Sequence, residues 1–145
     1  MTQPAIIAMV EDDEGHARLI EKNLRRAGVN NEIVPLADGA NAITFLFGSD
    51  GTGLVNKGRP LLVLLDLNLP DMFGIDILKR LKENEHLRAS PVVVLTTTDD
   101  KSEIQRCYDL GCNIYITKPV DYEKFANAIQ QLGLFVSVMQ VPEAI

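Results

Sequence analysis

A chain of 145 residues, 46% hydrophobic and 23% charged, fits one compact domain that can bury an ordinary core. A net charge of −6 and a pI near 4.8 argue against binding phosphate backbones, which draws on clustered Lys and Arg. The opening "MTQPAIIAMVEDD" has no basic segment and no run reaches the roughly 18 apolar residues of a membrane span, so a cytoplasmic protein with neither nucleic-acid nor membrane partners is expected.

The first predicted strand is "AIIAMV" at 5–10, which runs into Glu11 and Asp12. Asp13 then opens a helix whose Ala17, Ile20, Leu24 and Ala27 share a face and which Gly28 stops; His16 reads as an exposed residue of it. "EIVPL" at 32–36 is a second strand, and Pro35, with no N–H for a ladder, assigns it to a sheet edge. The stretch "GSDGTGLVNKGRP" at 48–60 reads as a loop. "LLVLLD" at 61–66 is a third strand ending on Asp66, and Ile77, Leu78 and Leu81 mark a helix after Gly74. "VVVLT" at 92–96 ends on Thr96, and a helix carrying Ile104, Cys107 and Tyr108 stops at Gly111. "IYIT" at 114–117 delivers Lys118 and Pro119, a constrained turn compatible with a cis peptide. A last helix carries Phe125, Ile129 and Leu132. Cys107 and Cys112 lack a second His or Cys pair for zinc and read as reduced and structural.

Nearly continuous apolar strands alternating with helices predict an α/β fold, a doubly wound parallel sheet covered on both faces. Ligands of such sheets sit outside the carboxyl ends of the strands. Glu11, Asp12, Asp66, Thr96 and Lys118 all leave their strands at that rim. Three converging carboxylates repel one another unless a proton or a cation intervenes, and an all-oxygen set suits Mg²⁺. Asp66 is then a candidate nucleophile toward phosphorus, with Lys118 and Thr96 as donors to phosphoryl oxygens.

"VEDD" at 10–13, "LLDLNLPDMFG" at 64–74, "VVVLTT" at 92–97 and "YITKP" at 115–119, in this order and each at a strand end, resemble the receiver domain of two-component response regulators. The resemblance implies a flavodoxin-like (βα)5 fold with strand order 2-1-3-4-5, in a domain over residues 1–132. It implies that Asp66 accepts a phosphoryl group from a histidine kinase and that Asp12, Asp66 and the Asn68 carbonyl bind Mg²⁺ directly, with Glu11 acting through water. Thr96 and Tyr115 would form the switch pair, and Lys118 would contact the phosphoryl group. The kinase would dock on the first helix, near His16 and Leu19, and on the loop after Pro119. Three departures from the commonest pattern stand out: Glu11 for the first aspartate, Thr97 for a small alanine, and the long connection at 48–60.

Rivals from other classes fit less well. A flavodoxin-like electron carrier needs a phosphate-cradling loop where this chain has acid. A haloacid-dehalogenase-type phosphatase resembles the site but usually has a second aspartate where Asn68 stands. A degenerate receiver that binds partners without phosphorylation is disfavoured by the intact set of rim residues. Only a short tail follows the last helix, so output through protein contact is expected.

The tail "LGLFVSVMQVPEAI" at 132–145 follows a helix that Gly133 weakens by roughly 1 kcal/mol relative to alanine. Its apolar residues, Phe135 and Val138 among them, predict a dimerisation arm over 133–145 that packs against a second copy. The long loop, the rim motifs and this tail together look like the receivers that serve phytochrome-type kinases.

Overall fold

The computed structural model describes residues 4–48 and 60–138. The long loop predicted at 48–60 and the end of the apolar tail, residues 139–145, therefore lie almost wholly outside the described residues, as does the side chain of Val138. Ten elements alternate: β1 (Ile6–Val10), α1 (Glu14–Arg26), β2 (Ile33–Leu36), α2 (Gly39–Phe47), β3 (Leu61–Leu65), α3 (Gly74–Glu83), β4 (Val92–Thr96), α4 (Lys101–Leu110), β5 (Ile114–Thr117) and α5 (Tyr122–Val138). The five strands pair in parallel in the order β2-β1-β3-β4-β5, which is the topology expected from the sequence.

Every residue of β1, β3 and β4 is buried, because helices cover both faces of the central sheet. Ile7, Met9, Leu62, Leu64, Val93 and Leu95 pack with Ile20 and Leu24 of α1 and Phe125, Ile129 and Leu132 of α5. Their alternate neighbours, Ala8, Val10, Val63, Leu65, Val92 and Val94, pack with α2, α3 and Cys107 of α4 on the other face. Pro35 lies in β2 at one edge, as its missing N–H requires. Cys107 and Cys112 are free thiols buried at the end of α4, and burial pushes Cys107 up to about 11, the state of an inert thiol.

Two features differ from the sequence reading. The first is α2, an element that reading does not name. Asp38 caps it, accepting from the Asn41 N–H at 2.7 Å, and Asp71 beyond β3 accepts from the Gly39 and Ala40 N–H groups at 2.8 and 2.9 Å. The second is the Lys118–Pro119 peptide, which is trans, there being no cis bond among the described residues. In addition, α5 runs unbroken through Gly133 to Val138, one and a half turns past Leu132.

Candidate functional site

The register of the sheet aligns the strand exits. Val10 pairs with Leu65, Leu65 with Val94, and Thr96 with Thr117, so Glu11, Asp66 and Lys118 emerge side by side. Short extensions of the ladder fix their backbones: the Asp66 N–H donates to the Val10 carbonyl at 3.0 Å, the Glu11 N–H to Leu36 at 3.0 Å and the Lys118 N–H to Thr96 at 2.7 Å.

Of the six buried polar residues among those described, four are Glu11, Asp66, Thr96 and Lys118. Burying such groups is costly unless they are paired, and here Glu11, Asp66 and Lys118 pair with one another while Thr96 accepts from the Asn68 amide. The Lys118 ammonium donates to Asp66 Oδ2 at 2.9 Å and to Glu11 Oε1 in a close ion pair. Asp66 Oδ1 accepts from the Asn68 N–H at 3.0 Å. Burial pulls Asp66 upward, but the Asn68 N–H and the Lys118 ammonium outweigh it and hold the carboxyl below its usual range. Glu11 goes the other way, pushed up to about 7 by burial and by the neighbouring Asp66 charge against the pull of Lys118.

Carboxylate oxygens complete the acidic cluster: one from each of Glu11, Asp12 and Asp66 lie within 4.8 Å of one another, Asp12 being exposed and the other two buried. One ammonium cannot balance three carboxylates, and the donors are all oxygen. Both facts fit a hard divalent cation.

The Asn68 amide lies 3.3, 3.2 and 3.4 Å from the hydroxyls of Thr96, Thr97 and Thr98, tying the exit of β3 to that of β4. Tyr115 is half-buried against the core, and its hydroxyl donates to the Thr98 carbonyl at 2.6 Å. Burial raises the tyrosine well above its ordinary value. Its backbone N–H in turn donates to the Tyr108 hydroxyl at 3.1 Å, which joins α4 to β5.

The structure thus brings together Glu11, Asp12, Asp66, Asn68, Thr96 and Lys118, with Tyr115 one residue pair away through Thr98. Asp13 is a helix cap, as expected, accepting from the His16 N–H at 2.9 Å. His16 lies on α1 with a partly exposed side chain, but it makes contacts that the sequence reading did not name. Its side chain is 41% exposed, yet it is not free in solvent: Nδ1 lies 3.3 Å from the Lys118 ammonium and 4.0 Å from Asp13 Oδ2, and the ring rests against Phe125. Helical side chains lean toward the N-terminus, so a residue in the first turn of α1 points back over the rim; that was the available signal. Leu19 is half-buried against the α1/α5 core, and Phe135, like Leu134, is exposed. Gly74 was read only as a helix start. A Cβ there would run into the backbone carbonyl of Asp66 and lie 2.7 Å from Leu67 Cα, so only glycine lets α3 begin this close to the strand exit.

A model of the response regulator receiver domain family matches residues 7–130. A crystal structure of a response regulator receiver domain from Rhodospirillum rubrum is 72% identical, with a TM-score of 0.94 over 97% of this chain and 99% of that one. Response regulator Rcp1 of Synechocystis is 35% identical over 91% of this chain and 88% of its own, and its Mn²⁺-bound crystal form superposes with a TM-score of 0.85. The phosphorylated cyanobacterial phytochrome response regulator RcpA is 34% identical, with a TM-score of 0.86 over 97% of this chain and 100% of that one.

Proposed function

The chain belongs to the response regulator receiver domain family, and from that premise we propose that it accepts a phosphoryl group on Asp66 from a histidine kinase in a Mg²⁺-dependent reaction. The observation that carries this reading is a buried, ionised Asp66 held at the rim by Lys118 and the Asn68 N–H. In the transfer, a carboxylate oxygen of Asp66 forms the new O–P bond while the donor's bond to phosphorus breaks and its electron pair leaves with the donor. Glu11, Asp12, Asp66 and the Asn68 carbonyl would hold the metal, which supplies neutralisation of phosphoryl charge. Lys118 and Thr96 would donate to phosphoryl oxygens.

The acyl phosphate carries about −1.5 to −2 charges where the carboxylate carried one, and its oxygens draw on the Thr96 hydroxyl now shared with Asn68, releasing Tyr115 from the Thr98 carbonyl. Output would pass through the α4–β5–α5 surface to a protein partner. A phytochrome-type kinase is favoured by the likeness to Rcp1 and RcpA, and a homodimer through α5 and the tail by exposed Leu134 and Phe135. The kinase would dock on α1, near His16 and Leu19, and on the loop after Pro119. A cytoplasmic location accords with this, and no described helix is long and apolar enough to cross a membrane.

Acetyl phosphate with Mg²⁺ should add one acid-stable, hydroxylamine-labile phosphoryl group by intact mass; no adduct, or an adduct that survives in Asp66→Asn, refutes the assignment. In the same samples, the Tyr115 amide resonance should shift on phosphorylation in the wild type and stay in place in Thr96→Ala. Fully exposed Val120 offers a test of docking. Val120→Asp should slow transfer from the kinase and leave the acetyl phosphate rate unchanged; equal rates from the kinase would place docking elsewhere.

A further inference from the structure

We propose that His16 is a positioning residue for Lys118, its imidazole Nδ1 supplying the third acceptor that fixes the ammonium serving Asp66; the inference rests on the reading of Asp66 as phospho-acceptor. An ammonium has three protons and no lone pair. Two of them face Glu11 Oε1 and Asp66 Oδ2, and the remaining polar neighbour is His16 Nδ1 at 3.3 Å. With no lone pair on the ammonium, a hydrogen bond here requires Nδ1 to accept and the ring proton to sit on Nε2; the rival partner for that nitrogen is Asp13 Oδ2 at 4.0 Å, which a proton on Nδ1 would face instead.

The ring is held from two sides. Its backbone is pinned in the first turn of α1 by the Asp13 cap, and its face meets buried Phe125 of α5, with centroids 5.6 Å apart and planes inclined by 33°. A lysine side chain is a point charge on a flexible stem, and its neighbours decide where the charge rests. With only Glu11 and Asp66 to hold it, the ammonium would settle between two buried carboxylates. During transfer the Asp66 carboxylate loses its own charge in becoming an acyl phosphate, and the ammonium must turn toward phosphoryl oxygens. An acceptor outside the carboxylate pair keeps it at the mouth of the site through that change. His16 therefore acts on the geometry of the donor rather than on the phosphoryl group, and small misplacements of such donors slow reactions.

The tautomer is the first test. A long-range ¹H–¹⁵N spectrum of labelled wild-type protein, with the His16 signals assigned through His16→Asn, should show His16 at pH 7.5 with Nε2 protonated and Nδ1 bare. A protonated Nδ1 overturns the proposal. Rates of phosphorylation by acetyl phosphate are the second test, and this donor has no docking surface, so kinase recognition does not enter. His16→Leu, which keeps the apolar contact with Phe125 but removes the acceptor, should slow the reaction by about 2- to 10-fold, the span one hydrogen bond supports. His16→Asn, which presents an amide oxygen near the place of Nδ1, should recover most of the rate. Leucine as fast as wild type, or asparagine as slow as leucine, overturns the proposal. A wild type that takes no phosphoryl group defeats the reading of Asp66, while the tautomer still decides whether His16 holds Lys118.

Discussion

Glu11 and Asp66 are both buried carboxylates that share one ammonium, yet their environments push them apart. Asp66 has a backbone N–H on one oxygen and the shared Lys118 on the other; Glu11 has Lys118 alone, with burial and a like charge against it. The consequence for stability has a definite sign. Glu11 is raised to about 7 from an ordinary 4.5, so its favourable contribution is complete below 4.5 and is lost as pH rises through about 7. Asp66 is lowered, so its contribution is present above its ordinary 3.8 and is lost only in acid. Glu11 alone therefore makes stability in EDTA fall between about pH 4.5 and 7, with a slope of up to ~1.4 kcal/mol per pH unit for one proton, and the difference between wild type and Glu11→Gln isolates it from the histidines. Saturating Mg²⁺ should flatten the fall, because the cation takes the place of the proton. A wild-type profile of thermal midpoint against pH in EDTA that runs parallel to that of Glu11→Gln over this range would refute the assignment. Asp66, Thr96 and Lys118 were legible in the sequence because each ends an apolar run. The Asn68 amide among three threonine hydroxyls, and the His16 ring over Lys118, depend on loop path and rotamer, which no periodicity encodes.

At the scale of elements, apolar spacing and helix stops revealed α1, α3, α4 and α5, and the apolar runs revealed the strands. The helix α2 escaped because "GANAITFLF" mixes β-branched and aromatic residues of modest helix propensity. What secures it is partly remote: Asp71, more than thirty residues away, accepts from its first N–H groups. Gly133 misled for the opposite reason. Propensity alone says that alanine there should stabilise α5 by about 1 kcal/mol. In the packed protein, a Cβ at Gly133 would lie 2.6 Å from Ala27 Cβ, a rigid atom at the end of α1. At this glycine α5 comes close against the end of α1, one turn from the bond that the Gln130 amide donates to Asn23 Oδ1 at 2.9 Å. Overpacking of this kind costs about 1–3 kcal/mol. Gly133→Ala should therefore lower the urea midpoint, with a net loss of up to about 2 kcal/mol; a higher midpoint would show that α5 can move away freely.

For the molecule as a whole, strand alternation and the edge proline foretold a parallel sheet with its site at the carboxyl rim, and the order β2-β1-β3-β4-β5 agrees with the order the receiver resemblance implied. Quaternary structure is a separate matter, because it depends on what the surface leaves uncovered. Along α5, Gly133 and Leu132 are buried and Val136 packs on the domain's own core, while Leu134 and Phe135 are 61% and 48% exposed. The helix thus has one face spent inside the fold and two adjacent large apolar side chains facing out. A second copy offers the same pair, and a two-fold axis lets each helix cover the other's. Cutting the chain at Leu132 would strip Gly133 and Val136 from the core as well as the exposed pair, so loss of a dimer there could reflect unfolding. A cleaner experiment keeps residues 1–138 and changes the surface. Sedimentation at micromolar concentration should show a dimer for the full chain and a folded monomer for Phe135→Asp. The version ending at Val138 reports the share held by the tail alone. A monomeric full chain, or a Phe135→Asp variant that dimerises as tightly as wild type, would end the proposal. Because α5 follows β5 directly, and β5 carries Tyr115, a phosphoryl group on Asp66 that releases Tyr115 from Thr98 should also change the measured dimer affinity.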